Sequence, residues 1–375
     1  MLDPRVTVRL LGGGPFAREG HGADAAFASP EEPRLVRLRE RYRLESVVAG
    51  GRSDLERIVA LRGWVRRALG RHGWSYSLLP VQPSGTETVL EEAARGTLFN
   101  CGFHAEVLLD CAAALGYPSR IAGLAMRDQA FPADRRGNVG HTVTEVWLGD
   151  LQRWAVMDAD ANVHYELDGE PLSSARMCAR FHADGCRGVR AVYGSDRPSF
   201  DDRHGRNGAV AGTSWNFRQV RAQEALFLAR DAMDYYQLVG VVERPVGADR
   251  DIFTVYLPDG VEPPLVLDGA PYDFHPDVFT RDPRVLDRAP WPTRLHVAGL
   301  DTSGPSVRLD LGLSCGMPAI SHFEVTEEDG APREARESIL AWEFAEGRRA
   351  LRVKAVNRFG VAGGEARIAV EARRE

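Results

Sequence analysis

Residues 100–158 constrain the fold of this chain most, because they prescribe a helix, its stop and a strand pair in strict order. Asn100-Cys101-Gly102 leads into GFHAEVLLDCAAALG, where Ala105, Leu108, Leu109, Ala112 and Leu115 recur at helical spacing. Gly116 stops that helix, and Pro118 forbids its return. Residues 139–148 are rich in β-branched and aromatic side chains and read as a strand; residues 153–158 read as another. Gly149-Asp150 between them predicts a two-residue type II′ hairpin turn. Such a loop pairs Leu148 with Leu151, and counting back sets His141 opposite Asp158. Directly opposed residues hold their Cβ atoms about 4.5–5.5 Å apart on one face.

That arrangement has chemical content. A thiol at a helix N-terminus faces the positive end of the macrodipole, which favours the nucleophilic thiolate. The competing reading of Cys101 is a small buried hydrophobe. A carboxylate opposite an imidazole fixes its tautomer and stabilises its protonated form. Asp160 shares the strand face two residues on and is the rival to Asp158 for that role; the hairpin register favours Asp158.

The same residues resemble the transglutaminase-like superfamily of papain-type cysteine enzymes. Cys101-Gly102, Ala105 and the exit Leu115-Gly116-Tyr117-Pro118-Ser119-Arg120 match its first motif. His141 with Glu145 and Val146 matches the second, and the strand from Trp154 to Asp158 the third. The chain departs from the pattern at Val143, where relatives often carry Trp, and at Ala159, where Pro often follows the Asp. The resemblance spans roughly residues 35–180. It implies a Cys101–His141–Asp158 triad acting on a carboxamide or peptide bond through a thioester, with hydrolysis favoured over crosslinking. It calls for no cofactor or metal. The oxyanion of such chemistry needs preorganised donors. The Cys101 backbone N–H is one candidate, and the Asn100 side chain and Trp74 indole are candidates for a second. A non-catalytic binding or scaffold role is the alternative from another class.

Composition bounds the remainder. A chain of 375 residues exceeds one ordinary core, and 44% hydrophobic with 27% charged residues describes a globular protein. A net charge of −6 argues against a nucleic-acid partner. The expected partner is a peptide, protein or other amide-bearing substrate. The positive charge is almost all arginine, with Lys354 the one lysine. No apolar run approaches the roughly 20 residues that span a bilayer, so no membrane partner is expected. MLDPRVTVRLLGGG lacks the pattern of a signal peptide, and five cysteines, an odd number, fit a reducing cytoplasm.

Three parts are expected: 1–240, a catalytic domain with an N-terminal extension; 241–292, a proline-rich connector; and 293–375, a fibronectin-III-like or Ig-like β-sandwich. The fold class is therefore α+β followed by all-β. Within the first part, Val6–Leu11 reads as a strand and Gly12-Gly13-Gly14 as a turn. Residues 31–48 read as helix, and Ser53 with Glu56 forms a capping box for a helix ending at Gly70. Glu91–Arg95 reads as a short helix, and Asn216–Val239 as a longer one. His164 is a candidate for the cleft, although a structural role is favoured. Cys178, His182 and Cys186, spaced four apart, form a weak zinc pattern, for which packed thiols are the better reading. Residues 194–214 read as a polar loop. Beyond residue 293, β-rich runs at regular spacing give the sandwich.

Overall fold

The computed structural model describes residues 6–14, 27–73, 75–125, 140–195, 236, 238–243, 252–256, 259, 278–328 and 330–374. Two compact units emerge. One comprises Met1–Ala25, Leu148–Gln152 and Ala289–Glu375; the other comprises Ala26–Trp147 and Arg153–Arg288. The chain enters on β1 (Val6–Gly14), which belongs to the former unit.

In the other unit, the helix expected over 31–48 divides into α1 (Pro33–Arg41) and α2 (Leu44–Val48). Arg43 adopts φ 51°, a left-handed conformation that interrupts the helix. α3 (Asp54–Leu69) starts as the capping box prescribes: Ser53 Oγ accepts the Glu56 N–H at 3.2 Å, and Gly70 closes the helix at φ 73°. α4 (Thr86–Ala94) starts five residues earlier than the sequence suggests. It leads to α5 (Cys101–Ala114), the helix at the centre of this unit, which lies against α1, α3, α4 and β2 (Ser119–Ala125). Nearly every α5 residue after Cys101 is buried, so its apolar residues are not confined to one stripe.

β3 (Gly140–Leu148) and β4 (Arg153–Met157) follow, and Thr144 Oγ1 ties β3 to α5 by donating to Ala105 O at 2.7 Å. β5 (Val163–Leu167) and β6 (Glu170–Pro171) form a tight hairpin on Asp168-Gly169, where φ is 53° and 83°. Both central residues left-handed is the type I′ turn that matches strand twist. α6 (Ser174–Asp184), β7 (Arg190–Tyr193), β8 (Leu238–Glu243), β9 (Ile252–Tyr256) and β10 (Val278–Thr280) complete the unit. Among the described residues, one sheet has the order β10-β9-β8-β2-β3-β4 and a smaller one β6-β5-β7.

The family-like motif residues Arg120 and Glu145 form a buried ion pair at 2.8 Å, with side chains 1% and 0% exposed. Glu145 also accepts the Ser174 N–H at 2.6 Å, and the Arg120 guanidinium lies 4.0 Å from the Trp154 ring centroid. These groups hold the sheet to α6 without touching the thiol.

The remaining strands are β11 (Arg294–Asp301), β12 (Val307–Ser314), β13 (Ile320–Glu327), β14 (Arg333–Ala335), β15 (Ile339–Phe344), β16 (Gly347–Asn357) and β17 (Ala366–Arg374). They form antiparallel sheets ordered β1-β17-β16-β13-β14 and β11-β12-β15. Leu309, Leu311, Leu340 and Trp342 from one sheet and Val325, Leu351, Val353 and Ile368 from the other are buried. β15 alternates exposed and buried residues along its length, as a half-solvated strand must.

Four local expectations change. Gly12, Gly13 and Gly14 are no turn: they pair with Ala369, Ile368 and Arg367 beyond a bulge after Leu10. Val6–Gly14 thus pairs with the C-terminal strand β17. The 241–292 stretch supplies β9, β10 and part of β8 to the six-stranded sheet. The turn after β3 occupies residues 149–152, not two residues: Leu151 N–H bonds Leu148 O at 3.2 Å, and Gln152 is the left-handed residue. Gly149 is there because a Cβ would strike the backbone of Ala362. Of the helix expected over Asn216–Val239, Leu238 and Val239 lie in β8; apart from Tyr236, the rest falls outside the described residues, as does nearly all of the 194–214 loop. No helix among the described residues is long and apolar enough to cross a membrane.

Candidate active site

Cys101 is the first residue of α5, and Asn100 caps it, its Oδ1 accepting the Gly102 N–H at 3.1 Å. The Asn100 amide donates to Tyr76 Oη at 2.9 Å. The Asn100 side chain, weighed above as an oxyanion donor, is thus occupied in shaping the helix start. Tyr76 belongs to a segment laid along the approach to Cys101. Gly73 N–H bonds Phe99 O at 2.9 Å, Tyr76 N–H bonds Leu98 O at 3.2 Å, and Leu98 N–H bonds Ser75 Oγ at 2.7 Å. Trp74, the other oxyanion candidate, lies outside the described residues.

His141, near the start of β3, is 5% exposed, and its Nε2 lies 2.7 Å from Asp158 Oδ2. The carboxylate is fixed in turn, because Asp158 Oδ1 accepts the Ala161 N–H at 2.8 Å. With Nε2 engaged by Asp158, Nδ1 is the ring nitrogen left to face the thiol. Burial alone would push the half-buried Cys101 thiol up. The hydrogen bond from His141 and the charges of His141 and His72 outweigh it against the opposing Asp160, so the thiol lies below its ordinary value. Burial likewise disfavours the His141 cation, but Asp158 and Cys101 raise it well above the usual imidazole range. Thiolate and imidazolium therefore stabilise each other.

Asp160 takes a different place from the one weighed for it. Its Oδ2 sits 2.7 Å from His72 Nδ1, and the carboxylate is 5% exposed. Burial opposes the charge on Asp160, but His72 and His104 hold it far below the usual carboxylate range. His72 carries no motif and stands 88 residues from its partner, so nothing in the linear sequence announces it. His104 is fully buried, with Nδ1 3.0 Å from Asn100 O and Nε2 3.3 Å from Gly70 O; burial depresses its basicity.

His164 is engaged on both ring nitrogens, as the structural role favoured for it requires. It is 2% exposed, with Nδ1 2.8 Å from Arg62 Nη1 and Nε2 3.0 Å from Glu166 Oε1. Burial and the Arg62 charge lower its pKa to about 4, so it stays neutral in this structural chain. The Cys178–His182–Cys186 pattern is broken up because α6 ends at Asp184 and left-handed Gly185 turns the chain. Among the described residues, no cluster of three His, Cys, Asp or Glu side chains fits a metal ion. All five cysteines are free thiols.

Helices and antiparallel sheets carrying a thiol at a helix start beside an imidazole–carboxylate pair define a transglutaminase-like α+β core. Residues 41–159, which span Cys101, His141 and Asp158, match the family model of the transglutaminase-like superfamily. Among solved structures, the crystal structure of red sea bream transglutaminase aligns with 92% of this chain and 71% of that chain. The identity is 12% and the TM-score 0.25. No curated protein matches.

Proposed function

We propose that the protein is a cysteine-dependent amidase, peptidase or acyltransferase in which Cys101, His141 and Asp158 are nucleophile, acid–base and orienter. The observation that carries this reading is the buried 2.7 Å His141–Asp158 contact beside a thiol whose ionisation His141 promotes. The Cys101 thiolate attacks a carboxamide or peptide carbonyl carbon. As the tetrahedral intermediate collapses, the C–N bond breaks and His141 gives its proton to the departing amine or ammonia, leaving a thioester. Water or an amine then attacks the thioester, its proton passes to His141, and the C–S bond breaks to restore the thiolate. The Cys101 backbone N–H stands at a helix start, where such groups have no intrahelical acceptor, and serves as an oxyanion donor. Asp158 keeps the imidazole in one tautomer throughout.

The substrate is a peptide, protein or small amide, with hydrolysis favoured over crosslinking, and five free thiols suit a reducing cytoplasm. The test is intact-mass analysis during turnover of a panel of peptides and carboxamides. A mass increment on Cys101 that hydroxylamine removes, and that Cys101→Ala lacks, supports the reading. Turnover undiminished in Cys101→Ala contradicts it.

A further inference from the structure

The catalytic reading uses one imidazole–carboxylate pair, yet the thiol has two. We propose that His72, held by Asp160, is a second cationic partner of the Cys101 thiolate, so that the thiol sits between two imidazole–carboxylate pairs. This rests on Cys101 being the nucleophile and goes beyond it, since His72 lies outside the motifs that identify the triad.

Geometry carries the inference. His72 immediately precedes Gly73, whose N–H is bonded to Phe99 O at 2.9 Å, and Phe99 stands two residues before Cys101. That bond pins His72 to the approach of α5. The fit needs glycine at 73, because a Cβ there would run into the Leu98 side chain. Asp160 follows Asp158 by two residues, and each carboxylate takes a different imidazole at 2.7 Å. Both carboxylates are buried, at 3% and 5% exposure, where an unpaired charge is costly. Each pair therefore favours its protonated imidazole.

The charges then alternate along the site: Asp160, His72, Cys101, His141, Asp158. The electrostatics follow that order. Burial disfavours the His72 cation, Asp160 and the Cys101 thiolate favour it, and His141 opposes it, with a net rise. On Cys101, the His72 charge acts more strongly than the opposing Asp160 charge, so the pair presents its positive end to the thiol. The other ionisable neighbours are His104, whose basicity burial depresses, and Arg66, whose charge acts on His104. His72 acts through Cys101 and is a positioning residue in this scheme: it biases the ionisation of the nucleophile without exchanging a bond.

Iodoacetamide alkylation of Cys101, followed by mass spectrometry across pH 5–10, tests this in the intact protein. An opposite charge nearby shifts a pKa by about one unit or more. His72→Gln should therefore move the alkylation midpoint up by about one unit, slowing labelling about tenfold at pH 6 while leaving the plateau above pH 9 unchanged. His72→Lys, which restores a cation, should bring the midpoint back toward wild type. A folded His72→Gln protein with the wild-type midpoint overturns the proposal. NMR titration of His72 in the wild-type protein needs no variant: capping Cys101 as a neutral thioether should lower the His72 pKa, and an unchanged value overturns the proposal equally. If wild-type Cys101 is not the preferred thiol, the catalytic reading itself fails. If it is preferred and the His72 results are negative, only the second pair is lost.

Discussion

At the scale of single residues, the site depends on which protons are bound. In the proposed chemistry the active form has Cys101 deprotonated and His141 protonated, and these groups shift in opposite directions, the thiol down and the imidazole up. Turnover should therefore rise as pH climbs through the lowered Cys101 value and fall as it passes the raised His141 value, leaving a plateau between the two. A single ionisation at an ordinary thiol value in the pH–rate profile would contradict the ion pair. Asp158→Asn retains the side chain's shape, and an amide oxygen can still accept from Ala161, but it removes the charge opposite His141. It should lower the rate by about two to four orders of magnitude with little change in thermal unfolding. Asp160→Asn leaves the triad intact and should be much milder. The reverse ranking of these variants in initial-rate measurements would reassign the orienter.

At the scale of elements, much of the positioning was legible and some was not. Helix ends were readable because they are local chemistry: Ser53, Gly70 and Gly116 act within a turn of where they stand, whereas Asn100, weighed as an oxyanion donor, proves to be the α5 cap. Asn100→Ala should cost about 1 kcal/mol in chemical denaturation by removing the α5 cap, and a cost near zero would discount it. The hairpin turn was misjudged because Gly149 suggested left-handed backbone. In fact it answers a close approach by Ala362, over two hundred residues away, and the left-handed residue is Gln152. The His141–Asp158 contact was expected from the register of a two-residue turn and from the family resemblance; the turn is longer, and the contact is present all the same. His72–Asp160 and Arg62–His164 were hidden because each joins distant segments whose meeting depends on the whole packing. The Arg120–Glu145 pair lies between these cases. Its residues stood out as a motif, but their role as a buried tie needed the structure. Replacing Arg120 by Ala leaves the Glu145 carboxylate buried without its charge partner and should destabilise the protein by about 3–5 kcal/mol in denaturant unfolding. A loss below about 1 kcal/mol would mean that solvent reaches the pair.

At the scale of the molecule, two units of different construction share one chain. In one, a buried helix sits against a six-stranded sheet and carries the thiol. In the other, β1 pairs with β17, so the ends of the described chain lie in one sheet. The proline count of the 241–292 stretch suggested a connector, yet β9, β10 and half of β8 come from it and extend the six-stranded sheet, with β10 at its edge. The proposed chemistry draws on protein groups alone. EDTA should therefore leave turnover unchanged while reductant preserves it, and activity lost to chelator and restored by calcium or zinc would reveal a metal requirement. The central claim is that Cys101 is an activated nucleophile. Competitive alkylation of the native protein by substoichiometric iodoacetamide at pH 6.5, read by peptide mass spectrometry, tests it most directly. Cys101 should be modified ahead of Cys111 and Cys178, whose buried thiols are pushed up, and ahead of Cys186 and Cys315; His141→Ala should abolish most of that advantage. Labelling that favours any of the other four thiols, or that is indifferent to His141, would contradict the account.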